Sequence, residues 1–593
     1  VVHPQDCRAM VGLHQFYDGL LDNKASEVAS WLGRRSDLAY SRLYLGEQHR
    51  RQGELQDAEA ILTDIIQPPD TSLSTIPAIL AMARLHYGRQ QGTRGEEYFE
   101  LALKSIKTPL DAALVLEDIK YIMNDSELTH YRQLSSPNLQ RIYIRNLLMA
   151  RNPIPALGAN PRLTEHYRRM LYAEKHFRYD GFRTWFNNPD KLSYLSFPQV
   201  YRLNSKFNDK GLVFIRQGEP DDRATSLGAD VKPNESWLYN ATLSHKKLMF
   251  HFVVDENATG NNWRLTALLD QNMLESRLHW DQVFYRMSTA SALEIFQYEA
   301  EMGDMSKQAV QVGLDTDQHR WSMPIKPLHF SRSVTTFRGG EGKTRYELSY
   351  GFAAGQIWPA SGQDTSQDYV TVGCSAYDQN WNTIYQMQRK CPAAEIIKAT
   401  DTVGYWADQF AFEANAEPLH ISMFVWHVAS KSLGGYRFDY QGRDYQKETA
   451  DMSDLMLAFA VSPDTLSGPF NKRGLYVYPQ PSLTFDKRRL LYTYFELYHM
   501  PLGSANRLSC QVQYKLNWLG KSEKDFRKNR GRSGKNKTIT SSTVQRTLTA
   551  RDQAEYLALD MQQKDSGFYE LAVHVTADTP ALDFIRTVEF ELR

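Results

Sequence analysis

Three carboxylates that lie close together in the sequence are the first residues of this chain that could do chemistry. Glu219, Asp221 and Asp222 follow a short apolar run in a segment that also contains Gly218 and Pro220. Carboxylate oxygens can bind calcium, and a pair of carboxylic acids can serve as the acid and base of a hydrolase. Acidic residues in turns also accept hydrogen bonds from backbone amides, which is their more common role. Ion binding, acid–base catalysis and turn capping are therefore three open interpretations.

No complete catalytic motif accompanies these acids. The sequence has neither the H-E-x-x-H pattern of metalloproteases nor the G-x-S-x-G pattern of a nucleophile elbow. The nearest approach to a metal-binding pair is Glu165 with His166, followed by Glu174 with His176. The two histidines would be about 15 Å apart along a helix and could not share one metal ion. We expect these four residues to form hydrogen bonds at the surface or between domains, and we predict no catalytic residue, cofactor or metal ligand.

Cys374 and Cys391 are the two cysteines that could form a disulfide. They lie on consecutive strand-like runs, separated by a turn at residues 378–382. A hairpin centred on that turn would place Cys374 opposite about residue 387, four residues from Cys391, and disulfide geometry is strict. A bridge and a pair of free buried thiols are both consistent with this spacing.

The composition excludes a general attraction to polyanions. The 593 residues include 69 Lys and Arg and 69 Asp and Glu, so the formal net charge is zero. This balance argues against a nucleic-acid partner. No run reaches the roughly 18 apolar residues of a membrane span, so we expect none. Since the chain starts at Val1 rather than Met, we expect a processed form.

Residues 1–152 have the periodicity of helices, with a weak repeat. The first copy matches the tetratricopeptide pattern and is followed by a second copy 37 residues later. The matching positions are Leu45, Gly46, Gly53, Ala58 and Leu62 in the first copy, and Met82, Ala83, Gly95, Phe99 and Ala102 in the second. Such a block could present a peptide-binding groove or could be a packing block for the next domain.

Residues 207–239 hold the most distinctive stretch of the chain. Asn208, Asp209 and Gly211 have turn chemistry, so Asp209 is predicted to cap a turn that starts a strand at residues 212–215. Gly218 and Pro220 would set the following corner. Trp237 lies in a second predicted strand and would pack on the apolar face of a sheet.

An ordered series of segments resembles the GWxTD-domain proteins of bacteria. The series comprises Pro161 and Arg162, TEHYRRMLYAEKHF, KGLVFIRQGEPDD, NESWLY and, further on, SDLMLAFAV, GLYVYPQPS, LLYTYFELYHM and GFYELAVHVT. At the place of the naming motif this chain has residues 205–209 and keeps only the final Asp209. The resemblance implies an exported protein with helical repeats ahead of the domain and β-sandwiches behind it, and it implies no active site. Asp209, Gly211, Gly218, Pro220 and Trp237 are thus expected to be structural markers of the family.

The fold class predicted from these patterns is multi-domain α+β. Residues 1–152 would form the helical block, 153–325 a small, mainly antiparallel α+β domain, and 326–466 and 467–593 two immunoglobulin-like β-sandwiches. The predicted strands of the first sandwich are 330–337, 345–352, 369–377, 383–387, 405–412, 419–428 and 455–461. Those of the second are 475–478, 490–498, 508–518, 541–548, 555–561, 569–575 and 585–592. The second sandwich would carry a basic hairpin loop at residues 520–537, which could bind an anionic surface.

The function predicted from the sequence is that of a structural or adaptor component. We expect a non-catalytic protein of the bacterial envelope or exterior, which binds other proteins of a larger assembly through its repeats and sandwiches. The alternative is a hydrolase that uses Glu219, Asp221 or Asp222 as acid or base.

Overall fold

The helices and strands are assigned from a computed structural model, which describes most of the chain as two units. The described residues are 7–23, 25–35, 37–67, 74–179, 194–242, 245–254, 262–291, 293–321, 324–357, 368–400, 405–445, 449–463, 468–503, 506–531 and 537–593. The first unit consists of residues 1–153 and 158–323, and the second consists of residues 154–157 and 324–593. The described part of the chain forms two units and contains both helices and mostly antiparallel sheets. The protein is therefore multi-domain α+β, as predicted.

The first unit contains most of the helices and one small sheet. Its helices are α1 (Cys7–Asn23), α2 (Ala25–Gly33), α3 (Ala39–Gln52), α4 (Leu55–Ile66), α5 (Ile76–Gly88), α6 (Gly92–Lys104), α7 (Pro109–Ile119), α8 (Asp125–Gln133), α9 (Pro137–Arg151), α10 (Pro161–His176), α11 (Gln199–Leu203), α12 (Asp209–Gln217), α13 (Gln282–Thr289) and α14 (Ile295–Asp315). Its strands are β1 (Asp222–Ala224), β2 (Asn234–Tyr239), β3 (Leu248–Val254) and β4 (Trp263–Thr266), which form an antiparallel sheet in that order. None of the helices in the described ranges combines the length and the apolar character that a membrane crossing requires.

The helical block and the small sheet share one hydrophobic core. A single cluster of buried side chains runs from Ile76 on α5 to Leu314 on α14, and it includes Ile144 on α9 and Phe250 on β3. Gly313 lets α14 approach the sheet closely, since a Cβ atom there would lie 2.3 Å from the Phe250 ring. The boundary predicted at residue 152 therefore falls inside a shared core.

The prediction of a strand at residues 212–215 is wrong, because these residues belong to helix α12. All nine residues of α12 are buried, so the helix shows no polar face that would reveal its period. A short apolar run bounded by turn residues cannot be assigned to helix or strand from periodicity alone. The flanking residues decide it: the Asn208 side chain accepts a hydrogen bond from the Gly211 N–H at 3.1 Å, which is a helix N-cap.

The second unit is built from four sheets. Its strands are β5 (Lys326–Pro327), β6 (Ser331–Arg338), β7 (Thr344–Phe352), β8 (Tyr369–Tyr377), β9 (Thr383–Pro392), β10 (Trp406–Ala414), β11 (Pro418–His427), β12 (Ser432–Gln441), β13 (Asp451–Met452), β14 (Met456–Pro463), β15 (Asn471–Lys472), β16 (Leu475–Pro479), β17 (Thr484–Phe485), β18 (Leu491–Tyr498), β19 (Leu508–Gly520), β20 (Lys537–Leu548), β21 (Gln553–Leu559), β22 (Gly567–Asp578) and β23 (Ala581–Leu592). Two helices, α15 (Ala393–Thr400) and α16 (Glu523–Asn529), accompany them.

The sheets pair off around two main cores, and a smaller cluster packs Phe337 of β6 with Val461 of β14 and Tyr494 of β18. One core lies between the sheet β10-β7-β6 and the sheet β5-β12-β11-β8-β9, and it contains Tyr350 and Ile421. The other lies between the sheet β13-β18-β14-β16-β15, to which β21 is added beside β18, and the sheet β17-β23-β22-β19-β20. It contains Val512 and Phe590. Alternation of apolar and polar residues therefore predicted most strands near their observed bounds.

The strand predicted to close the first pair of sheets belongs to the second pair. Strand β14, predicted at residues 455–461 as part of 326–466, pairs with β16 and with β18. The prediction assigned strands by order along the chain, whereas pairing depends on contacts that the order does not specify. Strand β12 was not predicted, because Gly434 and Gly435 interrupt its alternation of apolar and polar residues. The strand requires glycine at residue 434, since a Cβ atom there would lie 2.1 Å from the Leu328 carbonyl oxygen.

Replacing Ile144 of α9 by alanine tests whether the helices and the sheet of the first unit form one cooperative core. The Ile144 side chain is fully buried in the shared cluster, and truncation of a buried Ile typically costs about 2–5 kcal/mol. Because one core opens as a whole, we expect Ile144→Ala to lower amide-exchange protection in β2 and β3 as well as in the surrounding helices. Hydrogen-exchange mass spectrometry measures this.

The matched control is Leu139→Ala on the same helix, where the side chain is 43% exposed. It should change stability by no more than about 0.5 kcal/mol. Loss of protection confined to the helices of residues 76–151 would show instead that the helical block folds independently.

Candidate functional site

Helix α12 is the element around which the predicted marker residues assemble. Its C-terminal carbonyl groups accept hydrogen bonds from the Arg169 guanidinium on α10, at 2.7 Å to the Arg216 oxygen and 3.3 Å to the Ile215 oxygen. Arg169 is fully buried and forms an ion pair with Glu165 one turn earlier on α10. A cation at this position donates hydrogen bonds to carbonyl groups that have no partner within the helix. Its positive charge also interacts favourably with the negative end of the helix dipole. Both ends of the buried helix are thus capped by side chains.

Asp209 connects the start of α12 to its neighbours. Its Oδ2 atom accepts hydrogen bonds from the Leu265 N–H of β4 at 2.7 Å and from the Tyr201 hydroxyl of α11 at 3.1 Å. The Arg264 guanidinium lies 3.6 Å from the same oxygen and donates to the Tyr201 hydroxyl at 3.3 Å. Because Asp209 is completely buried, these partners stabilise a charge that has lost its water. Asp209 is the first residue of a helix, not the cap of a strand as predicted.

Lys210 and Trp237 fix the sheet against α12. The Lys210 ammonium donates to Glu235 at 2.8 Å and lies 3.1 Å from the centre of the Trp263 ring. Burial lowers the pKa of Lys210 to about 8, although the Glu235 hydrogen bond opposes that shift. The fully buried Trp237 ring packs edge-on against Phe177 at 5.8 Å, and the Phe177 ring lies 5.5 Å from Phe214 of α12.

The marker residues Gly211, Gly218 and Pro220 have steric roles. A Cβ atom at Gly211 would lie 2.8 Å from the Cβ atom of Phe207. Gly218 has φ = 80°, and a Cβ atom there would lie 2.8 Å from an Arg169 nitrogen. Pro220 is buried just beyond the turn. The structure brings the five marker residues into one packed region. None of these five residues lines the hollows described below.

The acidic residues after α12 point to separate partners. Glu219 is exposed and pairs with Arg223. Asp221 accepts hydrogen bonds from the Asn240 N–H at 2.7 Å and from Arg320 at 3.0 Å, and these partners outweigh partial burial and lower its pKa.

Asp222 accepts a hydrogen bond from the Trp280 indole at 2.8 Å, and this bond is the main cause of its lowered pKa. A general acid needs a raised pKa, and an acid–base pair needs a shared cleft. These three carboxylates therefore have the geometry of turn and ion-pair groups.

A seam of buried charges runs between the helices of the first unit. Glu47 on α3 forms ion pairs with Arg50 at 2.9 Å and with Arg84 on α5 at 3.0 Å. Arg50 also pairs with Glu174 on α10 at 2.8 Å, and Arg84 pairs with Asp118 on α7. The seam joins four helices that are distant in sequence.

The residues of α10 that were expected to form hydrogen bonds at the surface or between domains contribute to this seam or lie beside it. Glu165, His166 and Glu174 are all buried, and only His176 is exposed. The His166 ring bonds to the Asp118 carbonyl oxygen at 2.8 Å, and burial lowers the pKa of His166 to about 4. His166 and Glu174 thus bind residues of the predicted helical block, which agrees with the second of the two expectations.

Cys374 and Cys391 are free thiols, not a disulfide. The strand register places Cys374 opposite Met387 and Cys391 opposite Val370. The two cysteines are thus offset by four residues, or about 13 Å along the strand, too far for a bridge. Burial raises the pKa of the Cys391 thiol to about 11, and it raises the pKa of Cys374 further.

A serine, a histidine and an aspartate come together where no motif indicated them. His427 lies 2.7 Å from Asp368 through one ring nitrogen and 2.7 Å from Ser430 through the other. The His427 ring is only 1% exposed, and Ser430 also bonds to Ser432 at 2.8 Å across the hairpin turn. These contacts close the turn between β11 and β12. Asp368 is 59 residues from His427, so the sequence carried no signal for this group.

Besides a hollow of about 400 Å³ lined by Tyr194, Tyr201 and Lys307, two hollows lie among the helices in the described part of the first unit. One has a volume of about 70 Å³ and lies between α1, α3, α5 and α7, beside His14, Tyr44 and Arg84. A water molecule in the liquid occupies about 30 Å³, so this hollow is too small for a peptide. The other, beside α6, measures about 560 Å³ and is lined by Glu96 and Glu100.

The basic segment at residues 520–537 is partly helical. Ser522 caps the N-terminus of α16 by accepting a hydrogen bond from the Asp525 N–H at 3.2 Å, and Phe526 stacks on Phe568 of β22. The prediction of an irregular loop overlooked this cap and the Glu523–Arg527 pair, spaced four residues apart. Residues 532–536 of the predicted loop lie outside the described residues.

Asp209→Asn tests whether the buried carboxylate holds α12 in place. Asn keeps the shape but removes the charge that faces Arg264, and breaking a buried ion pair costs about 3–5 kcal/mol. We expect a loss of unfolding free energy of that order, measured by denaturant titration. Glu219→Gln, a similar change at an exposed site ten residues later, should change stability by no more than about 0.5 kcal/mol. Equal effects of the two substitutions would contradict the role of Asp209.

Glu47→Gln tests the buried seam through its pH dependence. Burial alone would raise the pKa of Glu47, but Arg50, Arg84 and Arg51 outweigh it and hold that pKa at about 2. A folded-state pKa below the unfolded value of 4.5 adds stability above pH 4.5, and this is lost as the pH falls towards 2.

The wild type should therefore lose about 3 kcal/mol more than Glu47→Gln between pH 4.5 and pH 2. Denaturant midpoints measured across this pH range provide the test. Parallel pH profiles for the two proteins would rule out ionised Glu47 as a source of stability.

Comparisons with known proteins leave the family open. No family profile and no curated protein sequence matches the chain. Among solved structures it is similar to trypsin-activated alpha-2-macroglobulin from Escherichia coli, with 11% identity and a TM-score of 0.14 over 45% of this chain and 17% of that one. It is also similar to a calcium-binding mutant of Bacteroides uniformis beta-glucuronidase 2, with 8% identity and a TM-score of 0.17 over 44% of this chain and 28% of that one. The chain thus spans less than a third of either structure, and likenesses this distant carry no functional inference.

Proposed function

We propose that this protein is a non-catalytic structural or adaptor component of a bacterial envelope or extracellular assembly. The observation that carries the proposal is that its clustered charged groups pair with one another inside the folded units, while long strand edges remain exposed. Asp209 with Arg264 and Glu47 with Arg84 are buried pairs of this kind. Groups committed to internal pairs serve the fold, whereas open strand edges can bind another chain.

The hydrolase alternative has less support. It requires Glu219, Asp221 and Asp222 to converge on a substrate, but each has its own partner and the pKa values of the two aspartates are lowered. A lowered pKa keeps a carboxylate ionised at neutral pH and unable to donate a proton.

Tetratricopeptide-like packing of α3–α6 supports the adaptor role. Gly46 on α3 faces Leu62 on α4, and a Cβ atom at Gly46 would lie 3.0 Å from that side chain. Gly95 on α6 faces Tyr87 on α5, where a Cβ atom would lie 2.8 Å from the ring. Small residues that allow close helix pairs recur in both copies, as in repeat proteins that bind partners. The hollow beside α6 adds an acidic surface to this region.

Strand β20 is the strongest candidate for partner binding in the second unit. It runs for twelve residues at the edge of its sheet and pairs only with β19 among the described strands. Residues 537–543 are exposed on both faces. A bulge at Ile539 interrupts the pairing of β20 with β19, but no other described strand pairs with this long edge, which is therefore suited to accept an extended segment of another protein. The paired sheets are consistent with the proposed immunoglobulin-like sandwiches, which often bind through such edges.

A location outside the cytoplasm rests on the resemblance to the GWxTD-domain proteins. Helix α16 is compatible with such a location, because Lys524 and Lys528 lie on a short exposed helix that could face an anionic surface. Two of its arginines are already engaged, Arg527 with Glu523 and Arg530 with Glu589. We therefore assign the anionic surface a secondary role and the strand edge the main one.

Ile539→Lys combined with Thr543→Lys tests binding at the β20 edge. Charges on an edge strand oppose the addition of a further strand. Both residues are exposed, so the fold should be retained. We expect at least a tenfold loss of partner recovered with the protein from its native host, measured by quantitative mass spectrometry after cross-linking.

The control is Val428→Lys, which places a lysine on a 58% exposed apolar residue in the turn between β11 and β12. Partner recovery should match that of the wild type. Unchanged recovery in the β20 variant would refute binding at this edge.

A further inference from the structure

The turn between α3 and α4 brings three metal-binding side chains together. The ligand atoms of His49, Glu54 and Asp57 all lie within 4.8 Å of one another. The Nδ1 atom of His49 contacts a carboxylate oxygen of Glu54. No other group of three His, Cys, Asp or Glu residues in the described ranges meets this condition.

The backbone of the turn fixes this arrangement. Gly53 ends α3 with φ = 87°, and its N–H donates to the Arg50 oxygen at 3.3 Å. The Glu54 N–H donates to the His49 oxygen at 2.9 Å. This pair of bonds is the Schellman motif. It brings the residue after the glycine, Glu54, against the helix residue four positions before the glycine, His49. Asp57 follows in the first turn of α4, so all three side chains emerge where α3 ends and α4 begins.

We propose that His49, Glu54 and Asp57 bind a divalent transition-metal ion of the zinc type. One imidazole nitrogen and two carboxylate oxygens are ligands that zinc accepts, at about 2.0–2.2 Å from the ion. A tetrahedral ion with such bonds needs ligand atoms about 3.3–3.6 Å apart. Separations of up to 4.8 Å reach this range by side-chain rotation without backbone movement.

The electrostatics of the turn favour a cation. Two carboxylates converge here, and among the described residues the Asp57 carboxylate has neither a hydrogen-bond nor an ion-pair partner. A plain ion pair between His49 and Glu54 leaves Asp57 to interact only with the N-terminal dipole of α4, whereas a bound cation would engage all three side chains. The neighbouring Arg50 and Arg51 do not supply that cation, because Arg50 pairs with Glu174 and Arg51 with Asp18.

The site stays open to solvent on one side. The side chains of His49 and Glu54 are 25% and 51% exposed. Water can therefore complete the coordination, and the ion can enter without opening the core. A bound ion would cross-link the end of α3 to the start of α4, which goes beyond the proposed adaptor function by making one helix pair metal-stabilised.

The test uses the full chain after treatment with a chelator. Zn²⁺ is titrated by calorimetry, and Co²⁺ is added separately because its visible absorption reports its coordination. The wild type should bind a single ion, and its unfolding temperature should rise with Zn²⁺. Asp57→Asn should weaken binding at least about tenfold, and His49→Ala at least about a hundredfold, since loss even of outer-shell groups costs 10–100-fold.

His574→Ala is the matched control. The His574 ring lies 2.6 Å from Asp583, so this variant also removes a histidine that faces a carboxylate, but one outside any group of three. It should bind Zn²⁺ like the wild type. Asp57 is exposed, so Asp57→Asn retains the fold even if His49→Ala does not. Wild-type affinity in Asp57→Asn, loss of binding in His574→Ala, or no Zn²⁺ binding up to millimolar concentration would each overturn the proposal.

Discussion

The constraint on which the first unit depends is the burial of a whole helix together with its polar ends. Helix α12 has no exposed face, so its free N–H and carbonyl groups must find partners inside the protein. Asn208 supplies an acceptor at one end and Arg169 a donor at the other. Arg169 in turn needs Glu165, which also accepts a hydrogen bond from the Arg320 N–H at 2.7 Å. Satisfying one buried helix thus fixes α10, the sheet and the segment after α14.

The same constraint explains why so many ionisable groups in this protein are poor candidates for chemistry. A buried charge is stable only with a partner, and the partners of Glu47, Asp221 and Asp222 hold the pKa of each carboxylate below its usual value. In the second unit, Lys472 forms an ion pair with Glu347, and both are almost fully buried. The sequence contains equal numbers of acidic and basic residues, and in the structure many of them pair locally with a residue of opposite charge.

Prediction from sequence succeeded where one period dominates and one face is exposed. Most strands of the second unit lie near their predicted bounds, because alternation is visible over eight or more residues, as in β19, where buried residues alternate with exposed or half-buried ones from Leu508 to Leu516. It failed at residues 212–215, where burial on all sides removed the period, and at β14, where the sheet that a strand joins is not encoded in its own residues.

The candidate site was predictable only in part. Asp209, Gly218 and Trp237 stood out by residue type, and they do lie together, but their roles follow from Arg169, Arg264 and Tyr201, which no local pattern links to them. The meeting of His427 with Asp368 is likewise a product of strand pairing. Residues close in sequence, such as His49 and Glu54, are the exception, since a single turn determines their contact.

The shared core of the first unit has a consequence for how the chain is made. In a simple array of repeats, each helix pair packs on the one before it and can fold as soon as it leaves the ribosome. Here the cluster that begins at Ile76 is complete only when Leu314 has been synthesised. Arg50 likewise forms its ion pair with Glu174, which lies 124 residues later in the chain. Contacts at such separation slow folding and leave apolar helix faces exposed during synthesis. The apolar faces of the helices from α5 to α9 therefore stay without their full set of packing partners until α14 has been synthesised.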